Sequence, residues 1–292
     1  MSLLQAILMG IIQGITEFLP VSSSGHLAIF KELFQVDLQT GILFDVMLHL
    51  GTLLAVFIVY FKDIKRLVIE SFALLYDCIL NLKIFISNKI HKNNEEYRPI
   101  VRNAYRKFVI LVIFSTIPTG IIGYAAKDLI EAVSKILIVP GVCLIITGIL
   151  LFIADKYNDG TKTPKQVSYN NAFIIGICQG IATLPGISRS GATITACLVS
   201  GFDKKFAVKY SFIMSIPAIL GAAVLELKDI TTMNVTPIEI INYMIGALVA
   251  AVVGYICIKT MLVVVRRKKF KFFAIYCLLA GTLASVGYFV IS

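Results

Sequence analysis

Gln13 and Glu17 stand four residues apart in an apolar run, so on a helix their side chains share one face. A carboxylate in such surroundings suits two tasks: holding a Mg²⁺ or Ca²⁺ ion, or acting as a general base. One carboxylate binds Mg²⁺ weakly and leaves further ligands to substrate phosphates. The structural alternative is a neutral Glu17 that caps broken backbone nearby. Ionisable groups at membrane depth are costly, which favours a functional use. Just beyond Pro20 come Ser22, Ser23 and Ser24. A serine there is an ordinary helix N-cap, but a helix N-terminus is also an anion site. A serine in that place can bind phosphate or attack it. A nucleophilic serine needs a base, and His26 is the nearest in sequence. The plainer reading of His26 is a satisfied core histidine.

A second polar centre lies far along the chain. Arg189 is the sole arginine between Asn170 and Phe202, and it sits between Ser188 and Ser190. Arginine grips phosphate with two parallel hydrogen bonds and keeps its charge. The structural alternative is a salt bridge to Glu17 that locks the two segments together, at a desolvation cost. Thr193 and Thr195 either add hydroxyls or bond backbone carbonyls. Asp45 and His49, four apart, are candidates for a supporting role. The reactive set is therefore Glu17, Ser22, Ser23, His26 and Arg189, with Glu17 as the metal ligand. Gln13, Ser24, Ser188, Arg189, Ser190 and Thr193 form the substrate-binding set.

These groups need elements to position them. The chain has 292 residues, 58% hydrophobic and only 15% charged, with a mean hydropathy of +0.88. A soluble domain carries about a quarter charged residues, so lipid is the expected solvent. The net charge of +10 would suggest nucleic acid in a soluble protein. Here the basic residues fall between apolar segments, where they set topology, and nucleic acid is not an expected partner. The six cysteines form no C-x-x-C pair, and the three histidines make no metal motif. The N-terminus lacks a basic leader and reads as part of the mature protein.

Six segments reach the roughly 20 apolar residues of a span: Ile42–Phe61, Phe108–Ala125, Lys135–Ala154, Phe206–Glu226, Ile240–Val265 and Phe272–Ile291. Two further apolar stretches, 3–36 and 170–201, are broken by Pro/Gly/Ser runs, and neither half of either can span. Non-helical backbone at membrane depth survives only where protein or a water-filled cavity satisfies it, so both are expected as re-entrant helix hairpins. They also resemble each other: Gln13-Gly14-Ile15 matches Gln179-Gly180-Ile181, and Ser22–Gly25 matches Ser188–Gly191.

The fold class expected is an all-α integral membrane protein, six spans plus two re-entrant hairpins, in one membrane domain of two repeats (about 1–155 and 170–292). An odd number of spans per repeat makes the second enter upside down. That is the inverted-topology arrangement, with its site at the repeat interface. With both termini outside, the inner segments 62–107, 155–169, 202–209 and 266–271 hold most lysines and arginines. The outer ones hold only Lys31, Lys127, Lys135 and Lys228. The basic cytoplasmic loop 62–107 is partly amphipathic and is expected on the anionic inner leaflet. Small-residue spans such as 246–254 offer a surface for a homodimer.

The run from Gln13 to His26 resembles the first signature of the bacterial undecaprenyl-diphosphate phosphatases, the bacitracin-resistance proteins. Pro185–Thr193 resembles the second, and Phe44–Val56, with His49-Leu50-Gly51-Thr52, is also similar. The resemblance covers essentially the whole chain. It implies removal of the terminal phosphate of undecaprenyl diphosphate to give the monophosphate carrier lipid of cell-wall synthesis, at the outer face of the cytoplasmic membrane and with a divalent cation. Glu17, Ser188, Arg189, Thr193, the serines and His26 match the family's functional positions. Gln13 occupies a place filled by Glu or Gln; an amide orients but is no base, which shifts weight to Glu17. Ser24 stands where some members have Thr. Three routes stay open: attack by a hydroxyl of Ser22–Ser24, attack by His26, or water activated by His26. The alternative from another class is a carrier that moves the lipid monophosphate across the membrane, because broken helices in inverted repeats are also a transporter architecture. An ion channel fits less well, since the polar groups cluster on the hairpins.

Overall fold

The computed structural model describes residues 1–33, 38–134, 136, 138–157, 160–227, 236–267 and 269–291. Lys135, Lys228 and Lys268 of the topology argument lie outside them. Apart from one isolated bridge between Lys162 and Phe202, the regular structure of the described residues is helical. The helices are α1 (Leu3–Phe18), α2 (Ser23–Leu33), α3 (Leu38–Val59), α4 (Phe61–His91), α5 (Ala104–Ala125), α6 (Lys127–Ser134), α7 (Ile138–Lys156), α8 (Tyr169–Ile181), α9 (Arg189–Val199), α10 (Lys204–Leu227), α11 (Pro237–Arg266) and α12 (Phe270–Ile291). Five of them, α5, α7, α10, α11 and α12, are long and apolar enough to cross a membrane. A sixth candidate is the pair α3 and α4, bent by 89° from each other, of which α3 is the more apolar member. The protein is an all-α integral membrane protein.

Local signals set the helix starts. Ser2 and Gln5 form a capping box on α1, and Thr236 and Glu239 form one on α11, with Pro237 in the first turn. The amino group of Met1 meets Glu239 at 3.0 Å, so the two helix starts are tied together.

The helices pair reciprocally. α1 lies along α11 while α8 lies along α5; α3 packs on α11 while α10 packs on α5; α7 pairs with α12, and α3 with α10. Close backbone approach makes two of these pairs. A Cβ on Gly10 of α1 would stand 2.4 Å from the Gly246 carbonyl oxygen, and one on Gly176 of α8 would stand 2.2 Å from that of Ser115. Small residues bring helices together in lipid because packing, not water exclusion, holds them. This corrects the expectation for 246–254. Gly246 meets Ala6 and Phe44, Gly254 meets Phe18, and Ala250 is fully buried. The small residues of the stripe are used inside the chain, by α1 and α3.

Segment 62–107 is also more ordered than a loop. Its first part is a 31-residue helix, α4, and the chain returns to α5 through 92–103. Asp77 of α4 accepts from Arg106 at 2.6 Å and from Arg102 at 3.1 Å. The Arg106 hydrogen bond holds the Asp77 carboxyl below the usual carboxylate range.

Gly176→Val should force α8 away from α5. The expected loss is about 1–3 kcal/mol, read as a lower melting temperature of the purified protein in detergent, whereas Val at Gly120, where nothing lies within 4 Å, should leave it unchanged.

Candidate active site

Each hairpin breaks in the same way. α1 stops before Pro20, and Ser22 adopts the left-handed region (φ 70°), a costly conformation for a residue with a Cβ. Its Oγ then accepts from the Gly25 N–H at 3.3 Å and lies 3.3 Å from Ser24 Oγ. In the second hairpin Gly186 makes the left-handed turn (φ 96°). Ser188 caps α9 by accepting from the Gly191 N–H at 3.0 Å, and its Oγ is 3.3 Å from Ser190 Oγ. The two tips touch: the Gly186 N–H donates to Ser24 Oγ at 3.2 Å. Thr147 of α7 fastens the second tip, donating to the Gly186 carbonyl at 3.1 Å and accepting from the Ser188 N–H at 3.0 Å. Two helix N-termini thus face one region, each with a positive dipole end.

Glu17 stands at this junction. Its Oε1 accepts from Arg189 Nη2 across the hairpins. Its Oε2 accepts from Ser23 Oγ at 2.6 Å and from Gln13 Nε2 at 3.1 Å. The same Gln13 nitrogen lies 3.1 Å from His49 Nδ1, and His49 Nδ1 is 3.7 Å from Glu17 Oε2. The amide is oriented so that its nitrogen meets the carboxylate. An amide nitrogen only donates, so in this contact His49 Nδ1 is the acceptor. The Glu17 side chain is 4% exposed, that of Arg189 23% and that of His49 35%. The carboxylate is therefore sealed in, while the guanidinium and imidazole keep an open side.

The structure brings Gln13, Glu17, Ser23 and Arg189 into direct contact and sets Ser22, Ser24, Ser188 and Ser190 around the two caps. The salt bridge weighed above as the structural alternative for Arg189 is formed. His26 sits elsewhere. Its Nδ1 donates to the Ser22 carbonyl at 2.7 Å, and its Nε2 accepts from the Tyr276 hydroxyl at 2.6 Å, with the two rings stacked at 5.6 Å. One turn past Ser22, His26 faces α12 rather than the serine hydroxyls. Thr193 also turns aside, donating to the Arg189 carbonyl at 2.8 Å and lying 2.5 Å from Ser211 Oγ of α10. Asp45 holds Lys31 of α2 and so braces the first hairpin on α3. His49, left outside the expected site set, belongs to its centre. The signal was present in its i, i+4 spacing with Asp45 on an apolar span. Tyr276, 250 positions from His26, carries no sequence signal of its role.

Among the described residues no group of three or more His, Cys, Asp and Glu is placed to hold a metal. Gln13 Oε1, however, is buried without a hydrogen-bond partner among them. It and the Glu17 carboxylate are hard oxygen donors of the kind a Mg²⁺- or Ca²⁺-like ion takes beside phosphate and water, though the amide turns its nitrogen rather than Oε1 to the carboxylate.

These features define a polytopic membrane protein whose polar centre is built by the tips of two broken helical hairpins. A family model described as "Bacitracin resistance protein BacA" matches residues 6–283, and the chain belongs to that family. It is similar to proteins named undecaprenyl-diphosphatase. That of Methanosphaera stadtmanae is 36% identical over 286 residues, covering 98% of each chain. That of Alkaliphilus metalliredigens is 38% identical over 283 residues, covering 97% of this chain and 98% of the relative. That of Methanobrevibacter smithii is 39% identical over 288 residues, covering 98% of each.

Arg189→Met should leave Glu17 as a buried charge without its partner. The expected cost is roughly 3 kcal/mol, the lower end for breaking a buried pair because Arg189 keeps some exposure. The double variant Glu17→Gln, Arg189→Met should recover part of it, measured by thermal unfolding in detergent.

Proposed function

We propose that the chain hydrolyses undecaprenyl diphosphate to undecaprenyl phosphate and inorganic phosphate, recycling the carrier lipid of cell-wall synthesis. The observation that carries the reaction is the Ser23 hydroxyl donating to Glu17 Oε2 beside Arg189: a nucleophile, its base and a cation on one carboxylate. The names of the relatives supply the substrate.

The terminal phosphate enters where the guanidinium is open, and Arg189 exchanges Glu17 for phosphate oxygens. Freed on one side, Glu17 takes the Ser23 proton. Ser23 Oγ bonds to the terminal phosphorus as its bond to the bridging oxygen breaks, and the lipid monophosphate leaves with that electron pair. Water then attacks the phosphoserine. The P–Oγ bond breaks, Glu17 returns its proton to Ser23 Oγ, and the proton lost by water leaves with phosphate and solvent. His49, whose Nδ1 accepts from Gln13, offers a further donor to a phosphate oxygen. The half-helix N-termini stabilise the charge that builds on the transferred group. Glu17 and Gln13 would hold a divalent cation, which would neutralise further charge on the phosphates. On this reading His26 positions the Ser22 turn through the Ser22 carbonyl and does not react.

An inverted-topology repeat is supported by the reciprocal pairing of α1 with α11 and α8 with α5. The distribution of lysine and arginine supports placing both termini at the outer face of the cytoplasmic membrane, and the family resemblance supports the same face for the reaction.

Phosphate release by purified protein from undecaprenyl diphosphate, with and without EDTA, tests the reading. Ser23→Ala should lower kcat at least about a thousandfold, and substrate labelled in the terminal phosphate should leave acid-stable label on Ser23 of the intact enzyme. His49→Ala should lower kcat/KM about ten- to a hundredfold, the worth of one hydrogen bond to a charged group. Lipid binding by intact protein without phosphate release, metal present, would replace the phosphatase with a carrier.

A further inference from the structure

α4 is amphipathic in reverse. At about 100° per residue, Asp63, Glu70, Asp77, Asn81 and Asn88 fall on one face. Phe61, Val68, Phe72, Ile79, Leu82 and Ile86 fall on the other. A helix on a water-soluble protein turns its apolar stripe to the core and its polar face to water. Here the chain's own residues 92–103 and the first turn of α5 take the polar face. Arg106 Nε donates to Glu70 at 3.0 Å and its Nη1 to Asp77 at 2.6 Å. The Asn81 amide exchanges hydrogen bonds with the Arg98 backbone at 2.9 and 2.8 Å, and the Asn88 amide does so with the Glu95 backbone at 3.0 Å each. The apolar face is left open, Phe72 to 70% and Ile90 to 67%.

We propose that α4 is an in-plane membrane anchor. Its apolar face is immersed at the boundary between headgroups and acyl chains, and residues 92–103 lie on its aqueous side. Three observations select the bilayer as the occupant. The 89° bend from α3 lays α4 along the surface of the membrane that α3 crosses. The stripe continues a surface of α3 that already faces outward, from Leu54 and Ile58 through Phe61 into Val68 and Phe72, all exposed. Lys62, Lys65 and Lys83 flank the stripe on one side and Lys89 on the other, each exposed, where long basic side chains reach from apolar surface to lipid phosphates. The polar face then needs no water, because Arg102 and Arg106 satisfy Asp77 and Glu70. The return segment acts as a lid over the charged side of the helix.

The chain has no tryptophan, so a single one reports its own position. Full-length Phe72→Trp, Ile79→Trp and Tyr97→Trp proteins in vesicles are compared with aqueous iodide and with lipids brominated near the headgroup end of the acyl chain. Bromolipid should quench Trp at 72 and 79, with blue-shifted emission and little effect of iodide. Trp at 97, in the return segment, should show the opposite. Iodide quenching at 72 and 79 would overturn the proposal by placing the stripe in water. Protection of both from both quenchers, lost on dilution of protein into excess lipid, would overturn it in favour of a second copy covering the face. The readout is independent of phosphate release, so it stands or falls apart from the proposed reaction.

Discussion

Backbone that stops being helical inside a membrane must find its hydrogen bonds within the protein, since lipid supplies none. The two hairpin tips meet that requirement with a small vocabulary. Ser22 and Ser188 cap the outgoing half-helices, Ser24 takes the Gly186 N–H of the opposite tip, and Thr147 takes both a carbonyl and an N–H of the second. Each tip is satisfied partly by the other, so neither has its final shape alone. The same constraint places the charges. A carboxylate at that depth needs a counter-charge and several donors, and Glu17 has Arg189, Ser23 and Gln13. Structural necessity and catalytic arrangement therefore share the same atoms: the donors that let Glu17 stay ionised are the groups that phosphate would meet.

The halves resemble each other without being equivalent. Gln13 and Gln179 both lie at the ends of their first half-helices, and each keeps a buried Oε1 without a partner among the described residues. Gln13 meets a carboxylate and an imidazole. Among the described residues Gln179 meets Thr119 and the Met214 carbonyl, at 3.4 and 3.5 Å. The first of these glutamines sits beside charge and the second among neutral polar groups. A single anionic group, rather than two, is what such a centre can accept without heavy electrostatic cost.

Much of this was legible in the chain because strong local signals carry it. The spans follow from apolar length, and the hairpins from Pro/Gly/Ser breaks in segments too short to cross. Glu17, the serines and Arg189 stand out because charge and hydroxyl are conspicuous in apolar surroundings. What stayed hidden depends on which way a side chain points. His26 shares a turn with Ser22 yet faces Tyr276 on α12, a partner that no local pattern announces. His49 was visible as a polar residue in a span, but its link to Gln13 requires α3 to lie beside α1. The small-residue stripe at 246–254 is the type of surface that two copies use, and only the packing of α1 assigns it to the interior. α4 reads as a basic, partly apolar loop until the arginines that cover its charged face are seen in place.

The pairing of α1 with α11 bears on how the molecule is made. α1 is synthesised well before α11, and the Met1 amino group closes onto Glu239. At about 5–20 residues per second, the ribosome adds the intervening chain in roughly ten to forty-five seconds. For that interval the first hairpin, with its broken backbone and ionisable glutamate, has no final seat. Gly10 has no α11 to lie against, and Arg189 has yet to emerge until most of the wait is over. Docking of the first hairpin against α11 is therefore a late step of assembly.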